Sequence, residues 1–472
     1  MTLTKEKKHY NCLIIGAGLS GMAAAVRLSH FGKRVLLVEK NSNFGGLNTY
    51  YYRNRIEIDS GLHAMTNFCR KNDDNSLPLN KLLRQLRIRY DDLNLIEQIQ
   101  SEIRFPGISL TFNNNFFETE KKFKLLFSDY SEQFDKLVDF ISEFNAFSIE
   151  EKEKRWTRQV LRSFINNRTF EDIILLPLMY YGNACEEDMD LSQFVIMFRS
   201  IFMEGLCRPE GGIKTIIRIL EKKLKENNCS IINRNPVEKI SPLSSGIFEI
   251  LLSDGSILTA EKIISCIGYN ETLDLVDKIS QTRRKSYGQI AFCEAIFCLK
   301  ESIVKEFADF RNACTFFCET DKFDFKKPSK AYSTESGVFC VPTNFKYLSS
   351  RPEVFFLRLT TLANFEYWID ESPERYKKLK LEFEEEALAK IAKLLNTKIS
   401  REDISFSDTF TPRTILRWTG HKNGAIYGSP VKAKDGKTEV PNLYVCGTDQ
   451  GFLGITGSIL SGISIANKYA LQ

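Results

Sequence analysis

The segment CLIIGAGLSG, which runs from Cys12 to Gly21, decides the fold of this chain. A short apolar run ends in the pattern GxGxxG, whose glycines are Gly16, Gly18 and Gly21. The small and apolar residues that follow, 23–28, predict a buried helix, and residues 34–38 predict a second strand. Strand, glycine turn, helix and parallel strand within about 30 residues are the minimum unit of a dinucleotide-binding fold.

Each glycine of the pattern has a distinct physical role. The first permits the tight turn, the second lets a pyrophosphate approach the backbone, and the third lets the helix pack on the strand. The helix begins near Leu19 and Ser20, so its amino terminus faces the phosphates. Glu39 ends the second strand 18 residues after Gly21, where a carboxylate accepts hydrogen bonds from an adenosine ribose. This combination predicts dinucleotide binding rather than a purely structural turn.

A second glycine segment favours FAD over NAD. Glu39 is followed by Lys40, and shortly afterwards by Gly45, Gly46 and Leu47. This spacing is expected if the backbone passes close to a second part of one elongated cofactor. A simple NAD-dependent dehydrogenase has no need of such a segment.

Two further clusters are predicted to contact the cofactor. The first contains Asp59, Gly61 and His63, and the second contains Gly447, Asp449, Gly454, Ile455 and Thr456. The helix after the second cluster is expected to point its amino terminus at the pyrimidine edge of a flavin, where negative charge develops on reduction. Asp449 directly follows a predicted strand and is expected to bond the ribityl hydroxyls. The alternative is a glycine-rich loop of purely structural use.

The pattern of elements predicts an α/β protein built from two interleaved units. A Rossmann-type FAD-binding domain with a parallel sheet, similar to that of glutathione reductase, is predicted for residues 1–76, 206–288 and 401–472. A helical cap at 77–205 and an antiparallel sheet with a helix at 289–400 are predicted to form an α+β substrate domain. Within it, residues 123–144 have helical spacing, and 373–395 predict one amphipathic helix.

Composition excludes several classes of protein. The chain has 65 basic and 60 acidic residues, which does not indicate nucleic-acid binding. No apolar run is long enough for a membrane span, so a cytoplasmic location is expected, with peripheral membrane contact through a stretch such as 121–127. The 12 cysteines have no paired CxxC spacing and are expected to be buried thiols, Cys293 and Cys298 included. No metal cluster is evident among the 4 histidines.

Taken in order along the chain, these motifs make it similar to the FAD-dependent phytoene desaturase superfamily, and within it to the branch of retinol saturases and carotenoid isomerases, which is related to the flavin amine oxidases. The motifs that carry the resemblance are 16–21 with Glu39, 45–46, 59–63, 208–212, 235–238, 411–414 with 427–428, and 447–454. The resemblance implies that Val237 holds the adenine through its backbone, that Asp449 and Thr456 lie along the ribityl chain and isoalloxazine, and that His63 lies near the flavin. Leu47 departs from the amine oxidases, which usually have arginine there.

The resemblance implies hydride transfer at flavin N5 to or from a hydrophobic substrate, isoprenoid or polyene, in a desaturase or saturase reaction. Amine oxidation and redox-neutral polyene isomerisation remain alternatives, because fold likeness does not choose the reaction. The electron donor or acceptor also stays open. His63 is a candidate for proton transfer or for a hydrogen-bonding spacer. The apolar stretch 194–203 is a candidate tunnel wall or ordinary core.

Overall fold

Two seven-stranded sheets organise this computed structural model, which describes residues 8–146, 154–277, 284–307, 309–348 and 352–472. The strands in chain order are β1 (His9–Ile15), β2 (Val35–Val38), β3 (Tyr50–Arg53), β4 (Ile56–Asp59), β5 (Leu95–Glu97), β6 (Gln100–Phe105), β7 (Ile108–Phe112), β8 (Cys207–Pro209), β9 (Ser230–Ile232), β10 (Val237–Pro242), β11 (Phe248–Leu252), β12 (Ile257–Ser265), β13 (Ala291–Leu299), β14 (Asn312–Cys318), β15 (Tyr332–Cys340), β16 (Phe356–Ala363), β17 (Ile404–Phe410) and β18 (Leu443–Val445).

The helices vary widely in length, from single turns to more than twenty residues. In chain order they are α1 (Leu19–Ser29), α2 (Pro78–Leu86), α3 (Phe116–Leu126), α4 (Ser131–Glu143), α5 (Thr157–Phe164), α6 (Arg168–Gly182), α7 (Leu191–Phe198), α8 (Ile213–Glu226), α9 (Tyr269–Asp274), α10 (Glu301–Val304), α11 (Glu366–Ile369), α12 (Pro373–Leu395), α13 (Pro412–Thr419) and α14 (Gly454–Ile465). Helices α7 and α14 each continue directly into a π-helical segment, which spans Arg199–Met203 after α7 and Ala466–Ala470 after α14.

The first sheet has the order β10-β11-β12-β1-β2-β9, and β18 pairs with the end of β12. Strands β9, β2, β1, β12 and β18 are parallel, and the hairpin β10-β11 is antiparallel. The predominantly apolar β1 and β2 are largely buried, as expected of a parallel sheet covered on both faces. The predicted α/β fold with a parallel dinucleotide-binding sheet is confirmed.

This sheet brings distant parts of the chain to one edge. The carboxyl ends of β1, β2, β12 and β18 lie side by side, because parallel strands in register end together. Helix α1 packs directly against α14, and both contribute to the same apolar cluster. The beginning and the end of the described chain therefore meet above this edge.

The second sheet has the order β17-β13-β16-β15-β14-β6-β7 and is antiparallel except between β6 and β14. Helix α12 covers one face, and the phenylalanine-rich helices α3 to α7 cover the other. Two of its parts lie outside the predicted bounds of an antiparallel unit. The hairpin β6-β7 falls within 77–205, where helices are predicted, and β17 follows residue 400.

Local patterns account for both the agreements and the differences. The helix predicted at 373–395 is confirmed as α12. The predicted helical stretch 123–144 is instead split into α3 and α4 by a 3₁₀ turn at Ser128–Tyr130. Helical spacing continues across the break because both helices face one core, in which Phe123 and Phe134 stack at 5.3 Å.

Candidate active site at the junction of the two sheets

The turn between β1 and α1 requires glycine at two positions. Gly16 has a φ of +92°, a conformation that favours glycine over residues with a side chain. A Cβ added to Gly21 would lie 2.1 Å from the carbonyl oxygen of Gly16, so only glycine lets the helix pack on the turn. No side chain caps α1 and no acidic residue lies in its first turn. The first amides of α1 are thus suited to an anion such as a pyrophosphate.

The glycine segment at Gly45 and Gly46 crosses the GxGxxG turn between β1 and α1. The amide of Gly45 donates to the carbonyl oxygen of Ala17 at 2.8 Å. A Cβ added to Gly46 would lie 3.2 Å from the Cα atom of Gly18. The two backbones therefore approach closely at the point where the sequence predicts that both contact one cofactor.

Glu39 connects the second strand to the glycine turn. Its buried carboxylate accepts hydrogen bonds from the amide of Ala17 at 2.7 Å and from the amide of Asn41 at 2.8 Å. Lys40 lies beside Gly420, and burial lowers the pKa of its ammonium, which Glu39 opposes. Glu39, the residue predicted to bind the adenosine ribose, thus lies directly after β2, where the sequence predicts it.

The carboxyl-terminal cluster approaches the same turn from the other side. A Cβ added to Gly462 of α14 would lie 1.9 Å from the carbonyl oxygen of Ser20, so the two helices touch backbone to backbone. Helix α14 also begins without a side-chain cap or an acidic residue in its first turn. The hydroxyl of Thr456 donates to the carbonyl oxygen of Thr66 at 3.3 Å.

Asp449 has partners that the sequence did not predict. Its two buried carboxylate oxygens accept hydrogen bonds from the amides of Tyr269, at 2.6 Å, and Ser429, at 2.7 Å. The side chain therefore holds two loops behind the strand end, and its neighbour Thr448 lines the cavity described below. A role of Asp449 at the ribityl chain stays a prediction.

A cavity of about 180 Å³ lies between the start of α14 and the second sheet. Its walls are mainly apolar and aromatic, with a few polar groups. Predicted site residues that line it are Leu47, Gly61, His63, Gly454 and Ile455. Lining residues that were not predicted as cofactor contacts are, from the second unit, Tyr180, Tyr181, Met197, Phe292, Glu294, Val338, Thr360 and Phe410, and, from the segment after it, Ile415, Ile426 and Tyr427.

His63 and Glu294, which line the cavity, form a chain of three side chains with Arg358. Nε2 of His63 lies 2.7 Å from Oε1 of Glu294, and Nε of Arg358 donates to the same oxygen at 2.8 Å. Arg358 also reaches the carbonyl oxygen of Leu62 at 3.4 Å, and the hydroxyl of Thr360 lies 3.4 Å from Nε2 of His63. The chain therefore joins the loop after β4 to β13 and β16 of the second sheet.

Electrostatics fix the protonation of the central carboxylate. Burial alone raises the pKa of Glu294, but the positive charge of Arg358, the interaction with His63 and the hydrogen bonds outweigh burial and lower the pKa to about 2. An ionised Glu294 makes Nε2 of His63 the hydrogen-bond donor, so Nδ1 is the ring nitrogen left to accept a proton.

Aromatic rings form the opposite wall. Tyr180 and Phe292 stack at 5.6 Å, and Phe292 meets Tyr427 edge to face at 6.0 Å. The phenol of Tyr427 donates to the carbonyl oxygen of Tyr180. Burial raises the pKa of both phenols, so they remain neutral. This wall offers an apolar surface of fixed orientation.

Asp59 and Val237 are two of the predicted site residues that do not line this cavity. Asp59 accepts hydrogen bonds from Arg208 at 2.7 Å and from the amide of Ile213 at 3.0 Å, which anchors the start of α8. Val237 begins β10, where it pairs with Leu252 in the first sheet. Both positions remain predictions for the cofactor.

The candidate tunnel wall at 194–203 is mostly core. Phe194, Phe198 and Phe202 are fully buried and contact one another edge to face or tilted. Within this stretch Met197 lines the cavity. The tunnel interpretation is therefore restricted to this one side chain, because the rings are used to fill the space between α7 and the second sheet.

Comparison with known proteins agrees with this architecture. The profile of the family described as flavin containing amine oxidoreductase matches residues 19–292. A 4,4'-diaponeurosporene oxygenase of Staphylococcus haemolyticus is 24% identical over 460 residues, covering 90% of this chain and 88% of that protein. The Staphylococcus aureus protein of the same name is 22% identical, with 97% of each chain covered.

Solved structures share the fold at low sequence identity. An oxidoreductase from Methanosarcina mazei has a TM-score of 0.66 and 16% identity, over 97% of this chain and all of that one. A putrescine oxidase bound to putrescine has a TM-score of 0.64 and 15% identity, over 98% and 99% of the two chains. The uncapped starts of α1 and α14 and the crossed glycine segments fit an FAD pyrophosphate and flavin. The chain belongs to the flavin-containing amine oxidoreductase family and is an FAD-dependent oxidoreductase.

Proposed function

We propose that this enzyme transfers hydride between FAD and a carbon of a hydrophobic isoprenoid or polyene substrate, as a desaturase or a saturase. The observation that carries the proposal is the cavity at the sheet junction, whose walls are mainly apolar and aromatic and whose polar lining includes His63 and Glu294. Pockets of this kind bind apolar ligands and use a few polar groups to orient them. The similarity to proteins named 4,4'-diaponeurosporene oxygenase supports a carotenoid-like substrate class.

FAD supplies the hydride acceptor or donor when it is bound. The chain supplies orientation and proton handling. The aromatic wall of Tyr180, Phe292 and Tyr427 holds an extended apolar chain against the cofactor side of the cavity. Nδ1 of His63 takes or returns the proton that accompanies hydride movement, and Glu294 fixes the tautomer that makes this nitrogen the acceptor.

The polar chain also argues against an amine substrate. The Glu294 carboxylate is already bonded to Arg358 and His63, so its charge is matched within the protein. A substrate ammonium would compete with the Arg358 guanidinium and the His63 ring N–H for one buried carboxylate.

The decisive experiment is an anaerobic titration of the FAD-loaded enzyme. Polyenes extracted with the purified protein, identified by mass spectrometry, are added while the visible flavin spectrum is recorded. Stoichiometric bleaching by a polyene supports desaturation, and recovery of the oxidised spectrum on adding a polyene to reduced enzyme supports saturation. Hydrogen peroxide release with amines would identify an amine oxidase instead, and altered double-bond geometry without a net spectral change would identify an isomerase.

A variant of Glu294 and a control variant test the assigned roles. We expect Glu294→Gln to lower kcat about 100-fold or more, since it leaves the His63 tautomer unfixed. The acidic limb of the kcat profile should also move, which a purely structural role would not produce. Glu335→Gln, which replaces an exposed carboxylate of β15 that does not line the cavity, is the control and should change kcat little.

A further inference from the structure

A second cavity, of about 760 Å³, lies beside the cavity at the sheet junction. Six lysines and two aspartates contribute to its walls, and we call it the lysine cleft. The lysines are Lys154, Lys285, Lys432, Lys434, Lys437 and Lys468. None of the residues predicted to bind FAD lines this cleft. It is therefore separate from the cofactor segments described above.

The lysine cleft shares a thin wall with the substrate cavity. Neighbours in the chain line opposite sides of this wall: Gly182 lines the cleft and Tyr181 the cavity, and Leu453 lines the cleft and Gly454 the cavity. A ligand in the cleft thus lies within one residue layer of the substrate cavity.

The positive charge of the cleft is poorly balanced by the protein. Asp190 accepts hydrogen bonds from the start of α7, and Asp435 accepts one from the amide of Lys437 at 3.1 Å. Among the residues that the structure describes, none of the six lysines forms an ion pair within 4.0 Å. Within the described part of the chain, these basic groups are therefore without the carboxylate partners that most partly buried ammonium groups have.

Neutral groups hold three of these lysines in place. Lys432 donates to the carbonyl oxygen of Tyr427 at 2.5 Å, and Lys154 donates to the sulfur of Cys185 at 3.0 Å. The ammonium of Lys285 lies 4.8 Å from the centre of the Tyr269 ring. Burial, together with the charges of Lys285 and Lys154, lowers the pKa of Lys432 to about 8 against the opposing effect of Asp449. The ammonium groups repel one another, and a bound anion would relieve the repulsion.

We propose that the lysine cleft binds a phosphate-bearing ligand of nucleotide size. Ammonium groups bind phosphate as point charges, and the cleft volume lies in the range of small-molecule sites. Tyr269 is 5% exposed and Lys285 lies over its ring, so the volume of the cleft, rather than stacking on this ring, would accommodate a base. A nucleotide bound here would stand next to the substrate cavity, where an electron-carrying cosubstrate is needed. This site is additional to the polyene site and is independent of the substrate proposed above.

Calorimetric titration of the FAD-loaded enzyme tests the proposal. Inorganic pyrophosphate, ADP and NADPH are added separately at low ionic strength, and FAD content is checked before and after so that exchange at the cofactor site is detected. We expect all three to bind, the two nucleotides more tightly than pyrophosphate. Binding should weaken as salt is raised, because the contacts are ionic. Tighter binding of pyrophosphate than of the two nucleotides would show that the cleft binds a free phosphate compound. It would overturn the proposal of a nucleotide-sized ligand.

Charge-neutral variants locate the binding. Lys432→Gln and Lys285→Gln should each weaken binding of ADP about tenfold. Lys222→Gln, an exposed lysine on α8, should not change it. Lys434→Gln provides a further test if Lys432→Gln fails to fold, since its side chain is only partly buried. Absence of binding by wild type, or equal affinity in wild type and both folded cleft variants, would overturn the proposal. Neither readout depends on turnover of a polyene, so failure here is distinguishable from failure of the proposed reaction.

Discussion

At the residue scale, Gly462 sets the distance between α1 and α14. We expect Gly462→Ala to lower the melting temperature and the FAD content, because its Cβ would lie 1.9 Å from the carbonyl oxygen of Ser20. Overpacking of this kind costs about 1–3 kcal/mol. Thermal denaturation and the visible absorbance per chain measure both effects. Gly32→Asn is the control, since a side chain there meets nothing within 4 Å and asparagine tolerates the φ of +70°. Equal losses in both variants would contradict the expectation.

The Glu294 carboxylate predicts a pH dependence of stability. Its pKa is lowered from 4.5 to about 2 on folding, so its contribution is complete above pH 4.5 and is lost as the pH falls towards 2. We expect the free energy of unfolding of the wild type to fall more steeply over this range than that of Glu294→Gln. Urea unfolding at a series of pH values measures the slopes. Glu335→Gln, an exposed control, should keep the wild-type slope.

The glycines and His63 could be predicted from sequence because their patterns are local. Glu294 and Arg358 were not predicted, since His63 and Glu294 are 231 positions apart and nothing local links them. A signal was nevertheless present. Each is a lone charge within an apolar strand, in AFCEAIFCL and FLRLTTLA, and a charge so placed indicates a buried partner.

At the scale of elements, a buried ion cluster joins α5 to α6. Arg158 contacts Asp172 at 2.7 Å and Glu171 at 3.3 Å, and both carboxylates are almost fully buried. We expect Arg158→Met to lower the free energy of unfolding by about 3–5 kcal/mol, since it leaves buried negative charge with less compensation. Arg89→Met removes an exposed pair with Asp92 and should lower the free energy of unfolding far less, because exposed ion pairs contribute little. Denaturant unfolding compares the two, and similar losses would contradict the assignment.

The outer face of α3 tests the predicted membrane contact. Phe117, Lys121 and Leu125 are spaced four residues apart and thus share a face, and Phe117 and Leu125 are 73% and 82% exposed. We expect Leu125→Glu to reduce cosedimentation with vesicles of anionic phospholipid, because apolar insertion and charge attraction act together. Leu348→Glu, which replaces a residue 76% exposed elsewhere, is the control. If Leu125→Glu cosediments with the vesicles as well as the wild type does, α3 is not the membrane contact.

Elements whose sequence has a strong helical period could be predicted. Strands, which depend on pairing with other strands, were predicted less well. Helix α12 has the predicted bounds because Ser372 caps it and Asn396 ends it, both local signals. The hairpin β6-β7 was missed within a segment predicted to be helical. Its alternation of apolar residues, Ile103 with Phe105 and Leu110 with Phe112, has the period of a strand and could have found it.

At the scale of the whole molecule, contacts between the two sheets predict one cooperative unfolding transition. His63 bonds Glu294 across the junction, and Asp408 of β17 bonds Tyr51 of β3 at 3.1 Å. We expect loss of helical circular dichroism and release of flavin fluorescence to share one midpoint, which rises with added FAD because the cofactor binds the folded state. Separate midpoints in the presence of excess FAD would show that the sheets unfold independently.

The interleaved arrangement was predictable from the alternation of α/β and antiparallel segments, but its bounds were less so. Strand β17 pairs with β13 of the second sheet although it follows residue 400. A short strand gives no local indication of which sheet it joins, because that choice is made by long-range pairing. We therefore propose that the second unit extends to about Phe410.

The position of α14 has a consequence for biosynthesis. This helix begins at Gly454, lines the cavity with its first residues and rests on α1, which is made more than four hundred residues earlier. A ribosome-bound chain shorter than this has an open groove where the finished enzyme has an enclosed chamber. We therefore expect stable retention of the coenzyme to require a chain that has been synthesised past this helix.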